Sequence, residues 1–144
     1  MKHSEMNWSK LIDLGRRLVG KPYVFGSEVD LKNPSPEAIA AIDCSELIEW
    51  LFAQIGIFMP DGSYNQAKMC RRLVFGPDVL FIGDLGFKWD PETKAIHHVG
   101  IYIGGKDVLE AKGSKWGVVV TPYEDYISSS HFAFWGRLKG IEDA

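Results

Sequence analysis

The chain is 144 residues long, which is close to the commonest size of one domain. Its hydrophobic, aromatic and charged fractions of 46%, 12% and 24% are typical of a globular protein and argue against disorder, collagen and coiled coil. The 16 Lys and Arg and the 19 Asp and Glu give a net charge of −3 without a basic stripe, so the sequence does not suggest nucleic-acid binding.

Targeting signals and cysteine usage limit the class of protein further. The apolar runs are only a few residues long, which predicts no membrane insertion. The N-terminus lacks the charged-then-apolar pattern of a signal peptide, so we expect synthesis in the cytoplasm without that export route. The two cysteines, Cys44 and Cys70, are too few for a disulfide framework. We therefore expect a single domain over residues 1–144.

The first part of the chain alternates helix and loop. Apolar residues at helical spacing predict a helix over 8–19, which Gly20 and Pro22 terminate. A turn-rich loop follows over 22–36, and a short helix is predicted over 36–41.

The second long helix is the clearest element of the sequence. It begins after Asp43, a capping residue, carries an apolar stripe, and ends at Gly56. Glu46, three residues after Asp43, predicts a capping box at this start. A second capping box, from Ser63 to Gln66, predicts the start of a third helix.

After these helices the pattern changes to short β-branched and aromatic segments separated by turn residues, with one short helix over 123–127. Helices followed by a run of strands predict an α+β fold in which N-terminal helices pack on a mainly antiparallel sheet of five to six strands. The predicted strands are 79–82, 85–89, 96–103, 108–111, 118–121 and 132–138.

Cys44 lies in the first turn of the second helix, directly after its cap. The partial positive charge and free N–H groups of a helix N-terminus favour a thiolate, and they can also bind the oxyanion that forms on an attacked carbonyl. The alternative is that Cys44 is simply a small buried residue on the apolar face of its helix, which is the commoner situation for a lone cysteine.

A histidine and a carboxylate on the predicted sheet are candidate partners for this thiol. His97 and His98 are adjacent in one strand and face opposite sides, so spacing alone does not select between them. The hairpin that turns at 104–105 brings Glu110 to within a residue or two of the position opposite His98. A carboxylate there can fix the tautomer and orientation of an imidazole, although a solvated strand residue is the alternative for Glu110.

Several motifs, taken in order, resemble the NlpC-type family of papain-like cysteine peptidases, which hydrolyse bacterial cell walls. They are DCS at 43–45, GDL at 83–85 and HVGIYIG at 98–104, with PYVFG at 22–26 upstream. The resemblance extends from about residue 8 to 138 and implies a papain-like NlpC-type fold.

The resemblance also implies roles for individual residues. Cys44 corresponds to the nucleophile, and His98, rather than His97, to the general base. Glu110 falls at the third, orienting position. Tyr23 matches a tyrosine whose hydroxyl supports the oxyanion.

Asp43 and Ser45 match the residues that flank the nucleophile and line the substrate groove. The implied substrate is the stem peptide of peptidoglycan, often cut between D-glutamate and a diamino acid. No cofactor is implied. The spacing of the cysteines and of His97 and His98 provides no metal site, since neither CxxC nor HExxH occurs.

The sequence departs from the family pattern at three places. Glu46 stands where the family usually has Gly, and a carboxylate turned toward Cys44 would oppose thiolate formation. Glu110 stands where His, Asn or Gln is more common. The loop over 24–42 is longer than usual, which we expect to reshape one wall of the groove.

The resemblance thus predicts a cell-wall endopeptidase that works through an acyl-enzyme. The Glu46 substitution suggests a phage-type member, a lysin or virion-associated hydrolase that reaches the wall through a holin or with the virion. The main alternative is a catalytically inactive wall-binding or structural module of the same fold. An acyltransferase of related fold is less compatible, because its histidine precedes its cysteine.

Overall fold

A computed structural model describes residues 1–74 and 79–143. Its four α-helices are α1 (Trp8–Arg17), α2 (Cys44–Gln54), α3 (Ser63–Lys68) and α4 (Tyr123–Ile127). Short 3-10 turns lie at His3–Glu5 and Pro36–Ala38. None of the helices in the described part of the chain is both long and apolar enough to cross a bilayer.

Six strands form one sheet in the spatial order β1-β6-β2-β3-β4-β5, and every paired neighbour is antiparallel. This arrangement confirms the predicted α+β class and the mainly antiparallel sheet. The fold places β3 in the interior of the sheet, between β2 and β4. The strands are β1 (Cys70–Arg72), β2 (Leu85–Trp89), β3 (Ile96–Tyr102), β4 (Asp107–Ala111), β5 (Val118–Pro122) and β6 (Phe132–Leu138).

The main hydrophobic core lies between the sheet and the helices α1 and α2. Leu11 contributes from α1 and Leu18 from the C-cap of that helix, and Leu47 and Leu51 contribute from α2. All four are fully buried, as is Ile101 in the middle of β3. Because this burial removes the apolar face of α2 from water, it fixes the position of the helix start that carries Cys44.

A smaller cluster covers the other face of the sheet around α4. Tyr126 of this helix is fully buried and packs against Trp135 of β6, with ring centroids 5.7 Å apart. The Tyr126 hydroxyl donates to the carbonyl of Gly86 on β2 at 2.7 Å. The cluster therefore ties α4 to the centre of the sheet.

The predicted strand over 79–82 is wrong, because a side-chain-stabilised turn occupies this segment. The Phe81 amide donates to Oδ2 of Asp84 at 2.8 Å, and the Asp84 amide donates to the Phe81 carbonyl at 3.0 Å. Gly83 follows with a φ of +98°, and a Cβ there would lie 2.4 Å from the Trp8 ring. The aspartate turn and the close approach of Trp8 override the β propensity of the segment.

Three helix boundaries differ from the prediction. The first helix ends at Arg17, and only a 3-10 turn forms after Ser35. The third helix begins at Ser63 itself, whereas the prediction made Ser63 the cap before the helix. Gly62 is the N-cap and makes no side-chain cap bond. Gln66 does not close a capping box but is fully buried, and its Nε2 donates to the carbonyls of Ser45 and Pro60.

Candidate active site

Cys44 is the first residue of α2, and Asp43 caps the helix directly in front of it. The Asp43 Oδ1 accepts the Glu46 amide at 2.9 Å, and its Oδ2 accepts the Gly26 amide at 3.0 Å. These bonds fix the first turn, and they leave the helix N-terminus close to the thiol. Cys44 is 7% exposed, so most of the residue is shielded from water.

His98 and Glu110 form a buried pair between β3 and β4. The His98 Nε2 lies 2.8 Å from Glu110 Oε1. The other carboxylate oxygen, Oε2, accepts the Thr121 hydroxyl of β5 at 2.5 Å. Because Nε2 is engaged with the carboxylate, Nδ1 is the ring nitrogen that remains for Cys44. Thr121 in turn limits the rotation of Glu110.

The electrostatics of this pair favour an imidazolium next to a carboxylate. Burial opposes the charge on His98, but interactions with Cys44 and Glu110 outweigh it and raise the pKa of His98 to about 9. Burial likewise opposes ionisation of Glu110, yet the hydrogen bonds from His98 and Thr121 and the nearby positive charge lower its pKa overall. The arrangement therefore favours a protonated His98 beside Cys44.

His97 occupies a different position from His98. The His97 carbonyl oxygen accepts a hydrogen bond from the Cys44 Sγ at 3.8 Å. His97 also lines the groove beside the thiol. Burial and the neighbouring His98 lower the pKa of His97. The structure thus pairs His98, and not His97, with a carboxylate.

A groove of about 250 Å³ opens above Cys44. Tyr23 lines it, and burial together with the charges of Cys44 and Asp43 raises the pKa of this phenol to about 12, so the hydroxyl stays a proton donor. Phe25 and Tyr64 stand at the rim with exposed fractions of 87% and 53%. The groove therefore offers an aromatic rim and a hydroxyl near the thiol to a bound chain.

Asp43 and Ser45 both contribute to the lining of this groove. Their polar atoms, however, are committed to the protein. The Ser45 hydroxyl donates to Asp43 Oδ1 at 3.3 Å, and the Ser45 carbonyl accepts from Gln66. Both residues are buried, so their main effect is on the shape of the groove next to Cys44.

Glu46 does not form the predicted capping box. Its carboxylate is turned away from the start of the helix and accepts the Ser27 hydroxyl at 3.0 Å and the Val29 amide at 2.8 Å. These bonds link α2 to the long loop that precedes it. The negative charge near the thiol is thereby directed toward the loop.

Cys70 is in a different environment from Cys44. Its thiol donates to the Gln66 carbonyl at 3.6 Å, and burial raises its pKa to about 12. Both thiols are free. Across residues 1–74 and 79–143, no group of three or more His, Cys, Asp and Glu side chains is arranged to hold a metal ion.

Two residues beside the site were not identified from the sequence. Thr121 contacts Glu110, and Lys88 is the cross-strand partner of His98. The register of β2 with β3 would have identified Lys88, but only a known pairing gives that register. Thr121 carried no signal beyond its β propensity.

Comparison with known proteins gives consistent matches over most of the chain. Residues 20–136 match the profile of the NlpC/P60 family. The chain is 30% identical over 124 residues to the bifunctional muramidase/DL-endopeptidase CwlT of Bacillus subtilis, which covers 83% of this chain and 33% of that protein. It is also 30% identical over 113 residues to the peptidoglycan endopeptidase RipB of Mycobacterium tuberculosis, covering 72% and 43%.

Solved structures agree with these sequence matches. The P60 domain of the antigen MAP1204 from M. avium subspecies paratuberculosis superposes with a TM-score of 0.69 at 29% identity, covering 90% of this chain and 93% of that one. By contrast, this chain spans only about a third to two fifths of the lengths of CwlT and RipB.

Proposed function

This chain belongs to the NlpC/P60 family, and we propose that it is a cysteine endopeptidase that hydrolyses amide bonds in peptidoglycan stem peptides. The observation that carries the proposal is the placement of Cys44 at a helix N-terminus beside His98, whose Nε2 is held by Glu110 at 2.8 Å. The similar proteins CwlT and RipB, a DL-endopeptidase and a peptidoglycan endopeptidase, support the same substrate class.

In the proposed reaction the Cys44 Sγ attacks the carbonyl carbon while its proton resides on His98 Nδ1. The backbone N–H of Cys44 and the Tyr23 hydroxyl stabilise the oxyanion. His98 then donates its proton to the leaving amine, and the C–N bond breaks to leave a thioester on Cys44. Water, deprotonated by His98, hydrolyses the thioester and regenerates the thiol.

The side chains around the thiol favour an active site over the inactive wall-binding alternative. Glu46, whose carboxylate would oppose thiolate formation if it faced Cys44, is bonded to Ser27 and Val29. Glu110 accepts from His98 as an orienting residue should. The phage-type origin, the route to the wall and the single-domain organisation over 1–144 stay predictions.

The test is digestion of purified muropeptides by wild type and Cys44→Ala, read by mass spectrometry. We expect wild type to release peptides cut between D-glutamate and the diamino acid, and Cys44→Ala to lose at least about a thousandfold in rate. Cys70→Ala is the matched cysteine control and should retain the activity, because Cys70 is buried and does not line the groove above Cys44.

Two outcomes would contradict the proposal. Equal peptide release by wild type and Cys44→Ala would exclude Cys44 as the nucleophile. No release by wild type from several wall chemotypes, combined with co-sedimentation of the protein with intact walls, would favour the inactive wall-binding module.

A further inference from the structure

A half-buried lysine that the proposed mechanism does not use lies beside His98. Lys88 on β2 is the direct cross-strand partner of His98, so both side chains are on the same face of the sheet. Its Nζ lies 4.1 Å from the centroid of the Tyr126 ring. Because Tyr126 is fully buried and bonded to Gly86, this cation–π contact holds the ammonium in one place.

Charged and titratable groups from the neighbouring elements face Lys88. Burial lowers the pKa of Lys88, whereas Glu110 of β4 opposes that change and Lys112, just after β4, reinforces it. The positive charge of Lys88 in turn favours the ionised form of Glu110 and disfavours a charge on His97. Tyr126 of α4 stays neutral, since burial raises its pKa well above the usual value.

Asp90 and His131 complete the set of charged groups around this end of β3. Both act on His97: Asp90 raises its pKa and His131 lowers it. Among these groups, Lys88 is the residue directly opposite His98 on β2. Lys88 thus acts on the Glu110 carboxylate, which together with Cys44 raises the pKa of His98.

A carboxylate at the orienting position creates a chemical difficulty for the proposed reaction. Glu110 stabilises the imidazolium, which helps thiolate formation at Cys44 but makes His98 reluctant to give its proton to the leaving amine. A neutral side chain at this position would orient the ring without that cost. A nearby cation that balances the carboxylate would have the same effect.

We propose that Lys88 is a positioning residue of this site, whose ammonium, fixed over Tyr126, offsets the charge of Glu110 so that His98 is oriented by a carboxylate and still releases its proton. Lys88 thereby offsets part of the attraction that the Glu110 carboxylate exerts on the protonated ring. The catalytic consequence rests on the proposed function, but the electrostatic coupling of Lys88 to His98 does not.

The first measurement is therefore independent of any substrate. NMR titration of the histidine-labelled chain reports the pKa of His98 in wild type, Lys88→Met and Lys88→Arg. We expect Lys88→Met to raise the His98 pKa by roughly half a unit, because a repelling charge is removed, and Lys88→Arg to leave it unchanged. Lys115→Met is the matched control, since Lys115 is an exposed lysine over the Trp116 ring and its loss changes net charge equally.

The second measurement follows the pH dependence of muropeptide cleavage. In Lys88→Met the basic limb of kcat/KM should move upward by the same amount. The kcat near neutral pH should fall several-fold with KM unchanged, because Lys88 does not line the groove above Cys44. If Lys88→Met does not fold, Lys88→Gln takes its place.

An unchanged His98 titration in a folded Lys88→Met or Lys88→Gln would overturn this inference, as would an equal shift in Lys88→Arg. A chain that shows the expected titration shift but cleaves no muropeptide would instead contradict the proposed function. The two failures are therefore distinguishable.

Discussion

At the scale of single residues, the carboxylate of Glu110 sets the charge state of His98. Replacing Glu110 by Gln removes that charge while keeping an oxygen that can accept from Nε2. The pKa of His98, about 9 in the wild type, should therefore fall by roughly one unit or more. We expect the basic limb of the kcat/KM profile to move downward accordingly, opposite to the effect of Lys88→Met.

The same pair links stability to pH. The folded-state pKa of His98 is raised above its unfolded value. The stabilisation that protonated His98 provides is therefore fully present below about pH 6.5 and is lost as the pH rises through about 9. The free energy of unfolding in urea should fall less across that pH range in Glu110→Gln than in the wild type. Thr121→Val, which removes a neighbouring bond but not the charge, is the control and should keep the wild-type slope.

The residues of this site could be predicted from the sequence unequally. Cys44 and its cap Asp43 were identifiable because helix starts depend on local sequence. The position of Glu110 could be predicted from a single hairpin, because the turn between β3 and β4 sets its register with His98. To predict the place of Lys88 beside His98, one must know that β2 pairs with β3. To predict the partners of the Glu46 carboxylate, one must know the path of the preceding loop. Neither is determined by the local sequence.

At the scale of elements, α2 holds the long loop before it through side chains spaced along one face. Besides Asp43 and Glu46, the Trp50 indole donates to the Asn33 carbonyl and the Gln54 amide to the Leu31 carbonyl, each at 3.0 Å. The loop carries the groove residues Tyr23 and Phe25 at its start. The helix that presents the thiol thus also fixes one wall of the groove.

Glu46→Ala should release this wall, because Val29 and Ser27 lose their buried acceptor. We expect the free energy of unfolding to fall by about 1–3 kcal/mol. Tryptic cleavage at Lys32 should accelerate, and KM for muropeptides should rise more than kcat falls. Glu28→Ala, an exposed carboxylate in the same loop, is the matched control. Equal proteolysis of the two variants would contradict a specific role of Glu46.

The elements themselves show where local pattern is sufficient. The ranges of β2, β6 and α4 match the sequence prediction because alternation and turn residues delimit them. The segment 79–82 has the same β-branched character, yet Asp84 turns it, and β1 forms instead at Cys70, where the sequence continues a helical pattern. The strand β1 forms because Cys70 pairs with Leu138 of β6, a contact 68 residues distant in sequence.

At the scale of the whole molecule, one buried ion pair joins distant parts of the chain. Arg137 of β6 makes two bonds of 2.8 Å to Asp84, the turn residue before β2. Its guanidinium lies 3.9 Å from the Phe81 ring centroid and also donates to the Val79 carbonyl and to Asp143 near the C-terminus. The pair therefore fixes the turn that replaces the predicted strand, and with it the start of β2 beside β6.

Asp84→Asn should be strongly destabilising, because it removes the buried charge partner of the Arg137 guanidinium, in a residue only 5% exposed, and leaves only the exposed Asp143. We expect the free energy of unfolding, measured in urea, to fall by about 3–5 kcal/mol. Asp143→Asn should cost far less, since the Asp143 side chain is 56% exposed. The double variant Asp84→Leu with Arg137→Met should lose less than the two single changes summed, because it leaves no buried charge. A loss below about 1 kcal/mol in Asp84→Asn would mean that the pair behaves like a surface salt bridge and does not hold the turn before β2.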